Sequence, residues 1–92
     1  MTFMLCRNRV ADVSRWKTAF ASHEAAHRDA GLRLVRLWRG IEERNNVFFV
    51  FEVESVDKAR KFISDPEAAK AGAASGVIDG EYHFVEDAGG YH

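Results

Sequence analysis

Residues 47 to 54 read V-F-F-V-F-E-V-E, and no other stretch restricts the possible folds as much. β-branched and aromatic residues in a run of eight, bounded by a polar turn and a serine, specify a strand. Successive side chains on a strand face opposite sides. Val47, Phe49, Phe51 and Val53 therefore share one face, and Phe48 and Val50 share the other. Both faces need cover. One layer of helices covers only one of them, so the second implies a further layer. A chain of 92 residues buries only about 60–65% of the surface its unfolded form exposes. The missing layer is thus expected to be a second copy of the chain.

The rest of the sequence places this strand third in a series. Thr2 to Asn8 is apolar on both parities and reads as a first strand. Asp12 is a suitable N-cap for a helix carrying Val13, Trp16, Phe20, His23, His27 and Ala30 on one stripe. Gly31 stands where a left-handed residue ends a helix. Leu32 to Ile41 reads as a second strand, with Leu34, Arg36 and Trp38 on one face and Val35, Leu37 and Arg39 on the other. Residues 42–46 form a polar turn, so strands two and three should make a hairpin. Ser55 caps a helix with Val56, Ala59, Phe62 and Ile63 inward. Asp65-Pro66-Glu67 starts another, rich in Ala and Gly, that Gly76 ends. Val77 to Val85 is the last strand, and residues 88–92 are expected to be a loose tail after a single domain over 1–87. The order β-α-β-β-α-β is the ferredoxin-like α+β pattern with an antiparallel sheet.

Charge and cysteine content narrow the function classes. Thirteen basic residues against fourteen acidic ones give a net charge of −1, which argues for neither a nucleic-acid nor a membrane partner. The longest apolar run is far too short to span a bilayer. Cys6 is the only cysteine, so no internal disulfide forms and a cytoplasmic, reducing location is expected. The apolar stretch before Arg7 is shorter than the core of an export signal.

The segment from Val13 through Trp16 and Phe20 to His23, followed by Gly31, resembles the first helix of the antibiotic-biosynthesis-monooxygenase-like proteins, a group of small dimeric α/β barrels. Val50-Phe51-Glu52-Val53, Lys58-Ala59-Arg60-Lys61-Phe62, Asp65-Pro66-Glu67 and Ala73 to Val77 before an aromatic strand extend the resemblance over nearly the whole chain. It implies a homodimer whose two sheets form a barrel, with a pocket in each subunit between helices and sheet. Activities of the wider superfamily include cofactor-independent oxidation of aromatic polyketides and quinols, haem degradation, cyclisation and isomerisation. The expected function is binding of a small apolar or aromatic compound, with cofactor-independent oxidation as one outcome. A cyclase or isomerase using the same pocket, or a non-catalytic ligand-binding or structural dimer, are the alternatives. The sequence carries no cofactor-binding motif, so no cofactor is expected.

Several residues are candidates for the chemistry. His23-Glu24-Ala25-Ala26-His27 has the letters of a zinc-protease helix. Such a site needs a third protein ligand, and the position six residues past His27 is Arg33, so no metal is expected. His23 shares the inward stripe with Trp16 and Phe20, and the resemblance places a histidine there too. It serves either as an acid or base near neutral pH or as a core histidine. His27, one turn on, either joins the pocket wall as a substrate-binding residue or simply suits the helix C-terminus. Trp16, Phe20 and Trp38 are expected to line the pocket. Of Tyr82 and His83, strand alternation lets only one enter it. Arg36 and Glu52 are expected to pair across the hairpin, and Cys6 to be a core residue.

Overall fold

The computed structural model describes residues 1–90. Four strands and four helices follow one another as β1 (Thr2–Val10), α1 (Val13–Ser22), α2 (Glu24–Asp29), β2 (Leu32–Arg39), β3 (Asn46–Val53), α3 (Val56–Ile63), α4 (Pro66–Ala74) and β4 (Val77–Glu86). The strands form one antiparallel sheet in the order β2-β3-β1-β4. This is the ferredoxin-like arrangement the element order implies. Residues 91 and 92, the end of the expected tail, lie outside the described residues.

Local chemistry explains the helix boundaries. Asp12 accepts a hydrogen bond from the Arg15 amide at 2.9 Å, Ser55 from Lys58 and Asp65 from Glu67. Each satisfies an amide that the first turn leaves without a partner. Gly31 and Gly76 adopt φ of 73° and 90°, the left-handed turn that ends α2 and α4. The single first helix expected from Val13 to Ala30 is instead broken at His23, whose ψ of 9° separates α1 from α2. Just before the break, the Ser22 hydroxyl donates to the Ala19 carbonyl at 2.6 Å. A hydroxyl bonded back to its own helix competes for a carbonyl the ladder would use, and it bends the helix.

All four helices lie on one side of the sheet. Met4, Cys6 and Val10 of β1, Leu32 of β2, and Val47, Phe49, Phe51 and Val53 of β3 form the core beneath them with Trp16 and Ala59. Complete burial of side chains such as these contributes about 1.5–3 kcal/mol each for the larger ones.

The other face of the sheet carries three cross-strand rows: Trp38-Phe48-Arg7-Glu81, Arg36-Val50-Leu5-His83 and Arg33-Glu52-Phe3-Val85. Each mixes apolar and charged residues. Leu5, Trp38, Phe48 and Val85 are exposed on it. At the β4 edge Arg7 binds Glu81 at 2.7 Å, Arg9 binds Asp79 at 2.6 Å, and His83 meets Glu81 at 3.2 Å. The hydrogen bond from Arg9 holds the Asp79 carboxyl below the usual carboxylate range, and that from Arg7 does the same for Glu81.

Strand β2 departs from simple alternation. Its register against β3 shifts between Leu34 and Arg36, so Val35 is an extra residue. Leu34 and Leu37 consequently both fall on the helix side, while Arg36 and Trp38 turn to the open face. The expected grouping of Leu34 with Arg36 and Trp38 is corrected by this bulge. So is the expected Arg36–Glu52 pair: Glu52 is bonded to Arg33, and Arg36 stands opposite Val50.

Candidate functional site

Two cavities adjoin α1 and α2. The inner one holds about 490 Å³ between the helices and the sheet. Its floor is Asn8, Phe49, Phe51 and Tyr82, and its walls are Trp16, Phe20, His23 and His27. Phe62, Ile63 and the small residues of α4 close it from the opposite side. α4 buries no residue of its own, and side chains of one carbon or none leave the space empty.

Trp16 is the best-buried member of the wall and stacks on Phe20 with ring centroids 4.6 Å apart. Phe20 reaches Phe49 and Phe51 in turn, at 5.2 and 6.0 Å. Aromatic contacts of this kind add about 0.5–1.5 kcal/mol each to the burial term. His23 sits at the α1–α2 break, half-buried, with its ring 6.4 Å from that of His27.

His27 is not merely a partner for the end of a helix. Its imidazole lies among Phe20, Phe51 and Phe62, with centroid distances of 4.9, 5.1 and 5.6 Å. Burial there makes the charged form expensive and lowers its pKa to about 4, helped by the neighbouring His23. At neutral pH it is an uncharged ring able to donate or accept a hydrogen bond.

Asn8 went unnoticed in the sequence. It is on the buried parity of β1 with Met4, Cys6 and Val10, and only 6% of it is exposed. Its side-chain oxygen is buried and has no hydrogen-bond partner among the described residues. A buried polar atom left unpaired costs about 1–3 kcal/mol, and native proteins rarely carry one without a use. Its cross-strand neighbour is Gly80. A Cβ at position 80 would collide with the Asn8 oxygen and lie 2.9 Å from the Arg7 carbonyl. The glycine makes room for the amide. The signal was available: a lone asparagine at an inward position of an otherwise apolar strand.

The remaining candidates divide between the two faces of the sheet. Tyr82, paired with Cys6, is the member of the Tyr82–His83 pair that enters the cavity. Its phenol pKa is raised by burial and by Cys6. His83 and Trp38 do not line it. His83 lies on the open face beside Leu5, and the Val35 bulge turns Trp38 to that same face, opposite Phe48. Burial pushes the Cys6 thiol up to about 12, so it is a protonated core residue at neutral pH. No group of three or more His, Cys, Asp or Glu converges as metal ligands among the described residues.

The second cavity lies on the other side of His27, at the β2 edge, and holds about 800 Å³. Leu32, Leu34 and Leu37 form its floor, and Lys17, Glu24, Arg28 and Glu54 stand around its rim.

A helix-covered four-stranded sheet of this kind recurs in solved structures. A putative antibiotic biosynthesis monooxygenase from Bordetella bronchiseptica superposes with a TM-score of 0.74 at 16% identity, covering 94% of this chain and 95% of that one. The chain has the antibiotic biosynthesis monooxygenase-like fold. SnoaB, a cofactor-independent oxygenase from Streptomyces nogalater, shares the monooxygenase-like fold at TM-score 0.72 and 16% identity, over 97% of this chain and 94% of that one. An uncharacterized NIPSNAP domain protein from Burkholderia xenovorans does so at 0.69 and 14%, over 96% and 95%. No protein-family model and no curated protein matches the sequence. No helix among the described residues is long and apolar enough to cross a membrane.

Proposed function

We propose that two copies of the chain pair through the open faces of their sheets, and that the inner cavity of each binds a small hydroxylated aromatic compound for cofactor-independent oxidation. The observation that carries this reading is the unpaired Asn8 amide oxygen, buried beside the floor of a cavity whose lining is mainly apolar. A turn of the amide would bring this oxygen to a ligand hydroxyl, which supplies the missing partner, while aromatic rings fit Trp16, Phe20 and Phe49. The description of SnoaB as a cofactor-independent oxygenase supports the reaction class.

In this reading the bound hydroxyl turns from Asn8 to His23, which takes its proton, and the anion then accepts hydrogen bonds from Tyr82 and the protonated His23. The electron-rich anion then reacts with molecular oxygen. One oxygen atom enters the ring as a carbonyl and the other leaves as water, with the two hydrogens the ring system loses. Asn8 and Tyr82 orient the ligand, and the apolar walls exclude solvent. Pairing rests on the exposed Leu5, Trp38, Phe48 and Val85, which a second sheet would cover. The unbridged single cysteine favours a cytoplasmic location.

The test is incubation with naphthols and quinols in air, following oxygen uptake and quinone absorbance, for the wild type and His23→Ala. Oxygen uptake that falls about a hundredfold in the variant, the low end of what a general base contributes, supports the assignment. Thermal stabilisation by the same compounds without oxygen uptake marks a binding protein instead.

A further inference from the structure

The inner and outer cavities share three lining residues, Phe20, His27 and Phe51. These rings form a triangle with sides of 4.9, 5.1 and 6.0 Å between centroids. The wall between the cavities is therefore one side chain thick. Two of its members are fixed. Phe51 is 2% exposed at the centre of the sheet, and Phe20 is stacked on Trp16. His27 is different. It is carried by α2, six residues long with none of them buried, joined to α1 through the break at His23. Packing alone gives no reason for an imidazole in this ring of phenylalanines, since an apolar residue would fill the space without a desolvated polar edge.

We propose that the two cavities are lobes of one site for an elongated apolar ligand with a hydroxyl at one end, and that His27 is the movable partition that sets the length accepted. This rests on the inner cavity's binding a hydroxylated aromatic compound. The hydroxyl meets Asn8, the body passes beside Phe20 and Phe51 through the gap that His27 leaves, and the far end lies on Leu34 and Leu37. As the ligand enters, the His27 side chain turns aside and offers a ring nitrogen to its edge.

Two probes separate the possibilities: para-hydroxybiphenyl, which one lobe can hold, and para-hydroxyterphenyl, which needs both. Their dissociation constants are measured by fluorescence for the wild type, His27→Ala, His27→Trp and Leu34→Trp. The wild type should bind both. His27→Ala should raise the affinity for the long probe relative to the short one about fivefold, and His27→Trp should lower that ratio about tenfold. Leu34→Trp, a change at a half-exposed position in the outer lobe, should also lower the ratio and serves as the check if the His27 variants do not fold. An unchanged ratio in Leu34→Trp overturns the proposal, as does a change in its oligomeric state in place of a change in ratio. Binding of the short probe only, in the wild type and His27→Ala alike, overturns the two-lobe site and leaves the inner cavity's role standing. Binding of neither probe overturns both.

Discussion

Asn8 and His27 are polar groups held where the fold would be more stable with apolar ones, and that makes each separately testable. Asn8→Leu removes an unsatisfied buried oxygen and keeps the branched shape at Cγ, with its larger methyl groups reaching into the adjoining cavity. The variant should be more stable than the wild type by about 1 kcal/mol, read as a higher urea midpoint, and should lose stabilisation by naphthol. A fall in stability would show that the amide is paired in solution. Removing strain at a site commonly strengthens a protein while weakening its function.

His27 links stability to acidity. The unfolded chain takes up a proton on this imidazole near pH 6.5, whereas the folded protein resists until about 4. Between those values the unfolded state binds more protons, so stability falls as pH drops through the window and is flat with respect to this group outside it. The loss should be of order 1–2 kcal/mol, the full shift being reduced because the ring is partly solvated. Urea midpoints of the wild type and His27→Phe, compared from pH 7 to 4, test it: the difference between them should widen on acidification. A constant difference would place the imidazole in water.

At the level of elements, much of the architecture was legible because alternation and capping are local. The V-F-F-V-F run locates β3 and both of its faces. Asp12, Ser55 and Asp65 mark helix starts, and Gly31 and Gly76 mark ends. What alternation cannot reveal is an added residue. The Val35 bulge reverses the parity of everything after it in β2, and so Trp38 was expected in the cavity it does not reach. The break at His23 adjoins a hydroxyl contact, from Ser22 to the Ala19 carbonyl, which periodicity does not register. The inward positions of Trp16, Phe20 and His23 follow from the helix period, whereas strand alternation leaves open which of Tyr82 and His83 faces the cavity. The companion of Asn8 is across the sheet at Gly80, a relation of register between strands 72 positions apart. Gly80→Ala tests that relation. The new methyl must displace the Asn8 amide, at about 1–3 kcal/mol for overpacking, with loss of naphthol binding. Adding Asn8→Ala should restore part of the stability and none of the binding. Full naphthol affinity in Gly80→Ala would separate the glycine from the site.

For the whole molecule, β1 is the strand on which the two proposed roles meet. Asn8 points to the cavity, while Leu5 and Arg7 point to the face offered to a second copy. Phe48→Asp places a charge amid the exposed apolar residues of that face, which opposes association if sheets pack there. Sedimentation at micromolar concentration should show a dimer for the wild type and a monomer for the variant. A wild-type monomer would leave the pattern of β3 without its second layer.

The Val35 bulge also bears on how such chains change length. Because the residue is extra, deleting it leaves Leu34, Leu37 and Trp38 on the sides they already occupy. A deletion at this point should therefore be absorbed by the edge strand, whereas removing Val50 from β3 would turn part of a central strand inside out. Measured by expression and thermal midpoint, the first deletion should yield a folded protein and the second should not. Insertions and deletions between descendants of such a chain would then collect at position 35, where a one-residue gap preserves every contact that matters.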